Sequence, residues 1–269
     1  GGNELVIVIS QSGETADSLA ALREMKQQGV KTLAIVNVLG SSIAREADGV
    51  FYTKAGPEIS VATTKAYSAQ LIAMYLIALK LAEVRGTVGA QQYSSFKREL
   101  TELPEKIAKV LETKSEVQKF ASQMMDKKDV FFIGRGVDYA VSIESSLKLK
   151  EISYVHSEAY AAGELKHGTI SLIENGTLVF GTLTQKALAE KTVSNLVETA
   201  SRGAYVAVLA SQSVEGIPEN FKKVFHIPDT DEHFTASLAV VVMQLFAYYL
   251  SVLRGNDVDK PRNLEKSVS

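Results

Sequence analysis

Short apolar runs alternate with stretches of helical spacing along most of this chain. LVIVIS (Leu5 to Ser10) is β-branched and almost wholly apolar, the pattern of a strand buried on both faces of a parallel sheet. Thr32 to Asn37 and Val50 to Thr53 repeat that pattern, and helical periodicity fills Thr15 to Gln28 and Thr63 to Val84. Strands and helices in this order predict half of a doubly wound α/β sheet. A polar helical stretch from Gln91 to Asp126, broken at Pro104, leads to Val130-Phe131-Phe132-Ile133-Gly134-Arg135-Gly136, a strand ending in glycines that opens a second sheet. Its further strands are predicted at Thr177 to Thr182, Tyr205 to Ser211 and Val224 to Ile227, followed by an apolar helix from Phe234 to Leu253.

The two halves read as a repeat. LAIVNVLGSSIAREADGVFYTKAG aligns in pattern with VAVLASQSVEGIPENFKKVFHIPDT, and the closing helices end alike, at Val84-Arg85-Gly86 and Leu253-Arg254-Gly255. The second copy begins with a strand and helix (Val130 to Ile152) that have no counterpart before Leu5, so the first is expected to be incomplete at its N-terminus, with upstream sequence either removed or simply not included. The expected organisation is a first domain at 1–90, a helical linker at 91–126, a second domain at 127–255 and a tail at 256–269. Composition alone leaves that polar tail disordered.

Candidate chemistry starts where the first strand runs out, at Ser10-Gln11-Ser12-Gly13-Glu14-Thr15. A helix N-terminus offers unpaired N–H groups and the positive end of the dipole; Ser10, Ser12 and Thr15 add hydroxyls, and Gly13 lets backbone approach an anion. Without a lysine this is not a nucleotide P-loop, and the further glycines of a dinucleotide fingerprint are absent; a neutral cradle suits a small phosphate monoester. Plain helix capping by Ser and Thr is the alternative. A second anchor, Ala55-Gly56-Pro57-Glu58-Ile59-Ser60-Val61-Ala62-Thr63-Thr64-Lys65-Ala66-Tyr67, is a turn leading to another helix with a Ser- and Thr-rich start, so that two helix N-termini could face one crevice. In the second copy Gly181-Thr182-Leu183-Thr184-Gln185 replaces the Ser-rich turn, so only the first copy is built for phosphate.

Lys148 and Glu151 lie three apart, and on a helix an ammonium so placed could tune a carboxylate acting as a proton-transfer base, against the alternative of a surface ion pair. His167 lies between Lys166 and Gly168 in a stretch that reads as an exposed loop, where an imidazole can exchange protons near neutral pH.

A net charge of −2 with scattered lysines leaves no basic footprint for nucleic acid, and no apolar run reads as long enough to span a membrane. With no cysteine there is no disulfide, no thiol nucleophile and no zinc-finger spacing. The four histidines (His156, His167, His226, His233) lack metal-ligand patterning, so neither metal nor cofactor is implied. No secretory leader is visible, which points to the cytoplasm.

SQSGETADSL, AGPEISVATTKAY, SLKLKEISY, EAYAAGELKHG and DVDKPRNLEKSV together resemble the isomerase part of the glutamine:fructose-6-phosphate amidotransferase (glucosamine-6-phosphate synthase) family, over essentially the whole chain. The resemblance implies two tandem SIS (sugar isomerase) domains, each a doubly wound parallel sheet flanked by helices, holding open-chain fructose 6-phosphate with its phosphate at Ser10, Gln11, Ser12 and Thr15. It implies sugar contacts from Val61 and Thr63, a Schiff base at Lys266, and proton transfer between C1 and C2 by Glu151 assisted by Lys148. It also implies ring opening by His167 from a neighbouring subunit, hence a homodimer, and a tail folded over the sugar site. The family's glutaminase domain uses an N-terminal cysteine that this chain lacks, so ammonia must come from a separate part of the parent polypeptide. Two other activities fit SIS motifs: a deaminase or deglycase of phosphorylated amino sugars, and a module that senses a sugar phosphate to regulate a partner.

Overall fold

The computed structural model describes residues 4–265 as two compact units, residues up to Tyr93 together with 262–265, and Ser94–Pro261.

The first unit runs β1 (Leu5–Ser10), α1 (Ala16–Gln27), β2 (Lys31–Val36), α2 (Ser42–Glu46), β3 (Gly49–Tyr52) and α3 (Lys65–Val84). Its sheet has order β1-β2-β3, all parallel, so every strand delivers its following loop to the same edge. Val8, Ala34 and Val36 from the strands pack with Leu22 of α1 and Ile43 of α2.

The second unit contains α4 (Ala90–Leu111), which starts just before the boundary, then α5 (Lys114–Gln123), β4 (Asp129–Gly134), α6 (Val137–Ser153), β5 (His156–Ala161), β6 (Leu178–Leu183), α7 (Lys186–Ala200), β7 (Tyr205–Ser211), β8 (Lys223–Ile227) and α8 (Thr235–Leu253). The parallel order β5-β4-β6-β7-β8 reverses direction between β4 and β6, which makes the carboxyl ends of those two strands the switch point where doubly wound sheets open a crevice. Phe120 of α5, Phe132 of β4, Phe180 of β6, Phe225 of β8 and Phe246 of α8 form one aromatic core, with Phe120–Phe246 ring centroids 5.3 Å apart and Phe180–Phe225 stacked at 6.0 Å. The sequence repeat is visible in three dimensions: β1-α1-β2 and β3-α3 match β6-α7-β7 and β8-α8 in order and direction.

Two expectations are corrected, and one strand lies where none is predicted. α4 continues through Pro104, which forfeits one N–H, because an amphipathic face holding Leu103 and Val110 buried keeps the helix in place. HSEAYA, to which the sequence assigns no element, is strand β5, held by pairing with β4. Two helices, α3 and α8, are long and apolar enough to cross a membrane by length and composition. α8 passes that test as a core helix, with 67% of its apolar window buried, whereas the α3 window is 11% buried.

Candidate functional site

In the first unit the loops after β1 and β3 are joined by one residue, through its backbone on one side and its side chain on the other. Asn37, just past the end of β2, donates its backbone N–H to Gln11 O at 3.2 Å and its amide Nδ2 to Gly56 O at 2.9 Å, while its Oδ1 accepts from Ala55 N at 2.9 Å and Thr53 Oγ1 at 3.1 Å. The turn at 10–15 and the turn at 53–56 are thus braced against each other at the carboxyl edge of the sheet. The sequence reading passed over Asn37; its only signal was a polar residue closing an apolar strand. Asn37→Ala removes the three side-chain hydrogen bonds to the 53–56 turn while the backbone N–H still reaches Gln11 O; if the 10–15 turn takes a phosphate monoester as expected, the result is roughly tenfold weaker binding with cooperative unfolding retained, read by calorimetric titration.

The turn after β1 is tightly organised. Ser10 is buried and its Oγ accepts Gly13 N at 3.0 Å and shares a hydrogen bond with Thr15 Oγ1 at 2.8 Å; Ser12 Oγ accepts Glu14 N at 3.1 Å. The three hydroxyls expected to face an anion therefore also shape the loop. Gly13 has φ +67°, and a Cβ there would lie 2.0 Å from Ser41 Oγ, so glycine is required by the packing of Ser41 as well as by the backbone. Two polar atoms in this region, Gln11 Oε1 and Ser41 Oγ, are buried and make no hydrogen bond to the described residues.

Helix N-termini around the first sheet differ in what fills them. At α2, Glu14 Oε1 accepts Ser42 N at 2.8 Å, and hydrogen bonding by the Ser42 hydroxyl, with this backbone bond second, holds the Glu14 carboxyl below its usual range. At α3, Glu58 Oε1 accepts both Thr64 N at 2.7 Å and Thr64 Oγ1 at 3.1 Å. This corrects the expectation that two helix N-termini are open to an anion: a carboxylate already sits at α3, and the helix starts at Lys65, so Thr63 and the half-buried Val61 belong to the turn before it. α1 has no side-chain cap on Thr15, and although Asp17 lies in its first turn, no carboxylate accepts from that turn's N–H groups among the described residues.

In the second unit the proton-transfer candidates lie on α6. This helix is covered on more than one face, and small serines permit the close approach: Ser146 Oγ donates to Ser157 O and Ser157 Oγ returns to Ser146 O, both at 2.9 Å, pinning α6 to β5. Ser251 Oγ of α8 holds the other end, donating to Ile152 O at 2.6 Å. Lys148 is 4% exposed, with Nζ 2.5 Å from Glu151 Oε2 and 3.6 Å from Glu144 Oε1. The surface-pair alternative is therefore excluded; this is a buried ammonium between two carboxylates one helical turn to either side. Burial pushes the Glu144 carboxyl up to about 7, with Lys148 pulling it down and Glu151 pushing it further up. Glu144 was missed in the sequence because one more glutamate on a helix carries no signal until its burial is known.

His167 is exposed at the end of the 3-10 turn Ala162–His167 that follows β5, a more ordered setting than the loop expected. The start of the tail is held to α6, Asn256 Nδ2 donating to Ile152 O at 3.2 Å, and Asp257 Oδ1 closes a turn by accepting Asp259 N and Lys260 N at 2.9 and 3.0 Å. Lys266 lies outside the described residues.

The chain matches the family model described as the SIS domain over residues 2–80 and 123–254. It is 56% identical over 98% of its length to the glutamine–fructose-6-phosphate aminotransferase (isomerizing) of Caldanaerobacter subterraneus subsp. tengcongensis, of which it covers 44%. Among solved structures, the C-terminal domain of glucosamine-fructose-6-phosphate aminotransferase from Francisella tularensis superposes with a TM-score of 0.94 at 36% identity, over 97% of this chain and 74% of that one. A glucosamine-6-phosphate deaminase from Thermotoga maritima superposes at 0.76 with 26% identity, over 100% of this chain and 76% of that one. The chain thus spans less than half the length of the curated relative it matches.

Proposed function

Because this chain belongs to the SIS domain family, we propose that it is the sugar-phosphate isomerase portion of a synthase that makes glucosamine 6-phosphate from fructose 6-phosphate and glutamine-derived ammonia. The observation that carries the phosphate part is the uncapped N-terminus of α1, beside Ser10, Ser12 and Thr15, in a unit whose α2 and α3 N-termini hold Glu14 and Glu58. A dianionic phosphate is favoured where N–H groups converge and repelled where a carboxylate already lies. Gln11 complements the cradle from the same turn, and Val61 and Thr63 are assigned to the sugar.

In this reading Glu151 carries a proton from C1 to C2, with the ketone held as a Schiff base by Lys266. Proton abstraction needs a carboxylate held in one place, and the hydrogen bond from Lys148 Nζ at 2.5 Å fixes the Glu151 carboxylate on α6. His167 is assigned to opening the sugar ring in a neighbouring subunit, which makes the enzyme a homodimer. A cytoplasmic location and a glutaminase domain on the same polypeptide complete the proposal.

The test is thermal unfolding with glucosamine 6-phosphate, using glucosamine and inorganic phosphate as controls. A ligand at a hundred times its dissociation constant stabilises the native state by about 2.7 kcal/mol, so the sugar phosphate is expected to raise the midpoint by several degrees more than either control. Equal midpoints in all three solutions would count against the reading. The deaminase likeness supports one other activity, and release of free ammonia from glucosamine 6-phosphate would favour it.

A further inference from the structure

In the repeat, β6 and α7 hold the places of β1 and α1, so the turn at Thr184-Gln185 is the second unit's counterpart of the phosphate turn. It also lies at the β4/β6 switch point, the position at which an open parallel sheet receives a ligand. That position is already filled from within. Asp138, in the first turn of α6 and 3% exposed, accepts Thr184 N at 2.8 Å and Gln185 N at 3.3 Å through Oδ2, and Thr184 Oγ1 at 2.5 Å through Oδ1. Glu232 Oε1 takes the next amide, Lys186 N, at 2.8 Å, and Gln185 Nε2 donates to Glu232 O and Thr235 Oγ1, both at 3.1 Å. Burial pushes the Asp138 carboxyl above its ordinary range in spite of these bonds. A group that is costly to bury and yet fully engaged is placed for geometry rather than for net stability.

We infer that Asp138 is an internal anion that closes the second unit's copy of the phosphate cradle, so that the duplicated chain takes one sugar phosphate rather than two. The count of one rests on the reading of α1 given above; the internal anion does not. The carboxylate also ties the first turn of α6, the helix carrying Glu144, Lys148 and Glu151, to the start of α7.

Removing the carboxylate should leave a vacancy shaped for a small anion, and formate is the probe. Asp138→Ala is expected to gain several degrees in unfolding midpoint from formate over chloride at equal ionic strength. Wild type and Asp138→Asn, whose amide fills the space, are expected to gain none. Equal formate shifts in all three proteins would overturn the inference. Calorimetric titration of the wild-type chain with glucosamine 6-phosphate supplies a measurement that does not depend on the variant folding. One molecule per chain is expected and two would overturn the closure. No binding would overturn the α1 reading instead and leave the internal anion to the formate result.

Discussion

Glu151→Gln is expected to lower the conversion of fructose 6-phosphate to the aldose by about 10²- to 10⁴-fold in kcat while leaving the thermal shift by glucosamine 6-phosphate intact. The amide has the shape of the carboxylate and can still accept a hydrogen bond from Lys148 Nζ, so packing on α6 is preserved. What it loses is the capacity to take a proton from carbon. The split matters: a loss of binding together with turnover would indicate that the α6 face had rearranged, whereas full turnover would remove Glu151 from the proton path. Glu144 is the group then to be examined, since it faces the same ammonium at 3.6 Å and its pKa of about 7 lets it exchange protons at neutral pH.

Much of this architecture is legible in the sequence because parallel strands buried on both faces are written as continuous apolar runs. LVIVIS and YVAVLAS are strands β1 and β7 with the ends expected of them. HSEAYA carries no such signal. Its strand exists because β4 offers a pairing edge, Tyr154 turns the chain in the left-handed region after α6 at φ +59°, and Ser157 is fixed to Ser146. The SQSGET turn is visible as a turn at a strand end, but the lack of a side-chain cap at the start of α1 is not. That depends on which carboxylates fold back onto which helices, and Glu58 to Thr64, Glu14 to Ser42 and Asp138 to Thr184 join positions that periodicity does not connect. Asn37 is hidden for the same reason, since its four hydrogen bonds go to residues of two different turns. For Lys148 and Glu151 the spacing can be read directly, but their burial cannot. α6 has little amphipathic pattern, being packed against β4, β5 and α8, so a lysine in its middle looks no different from one on a solvated surface.

Burial of that lysine sets the second large effect. Lys148→Met is expected to destabilise the chain by about 3–5 kcal/mol at pH 8 and by much less at pH 5, read by urea unfolding at the two pH values. The sign follows from Glu144, whose carboxyl is raised from its ordinary value of 4.5 to about 7, first by burial and then by Glu151, with Lys148 opposing. A carboxyl whose folded pKa lies above its unfolded one binds its proton more tightly in the native state, so it costs nothing at low pH. The cost develops as pH climbs from about 4.5 through 7, and in wild type it amounts to about 3 kcal/mol. Taking away the ammonium removes the opposing influence and leaves two carboxylates facing one buried position, which moves the Glu144 pKa further upward and extends the pH range over which stability is lost. Methionine keeps most of the volume of the lysine stem, so an equal loss at pH 5 and pH 8 would mean that the stem is held by packing and that the charge between Glu144 and Glu151 contributes little. A loss confined to the higher pH would mean that the ammonium is what offsets the charge of the buried Glu144 carboxylate, and that the Lys148 position beside Glu151 is held by charge rather than by packing.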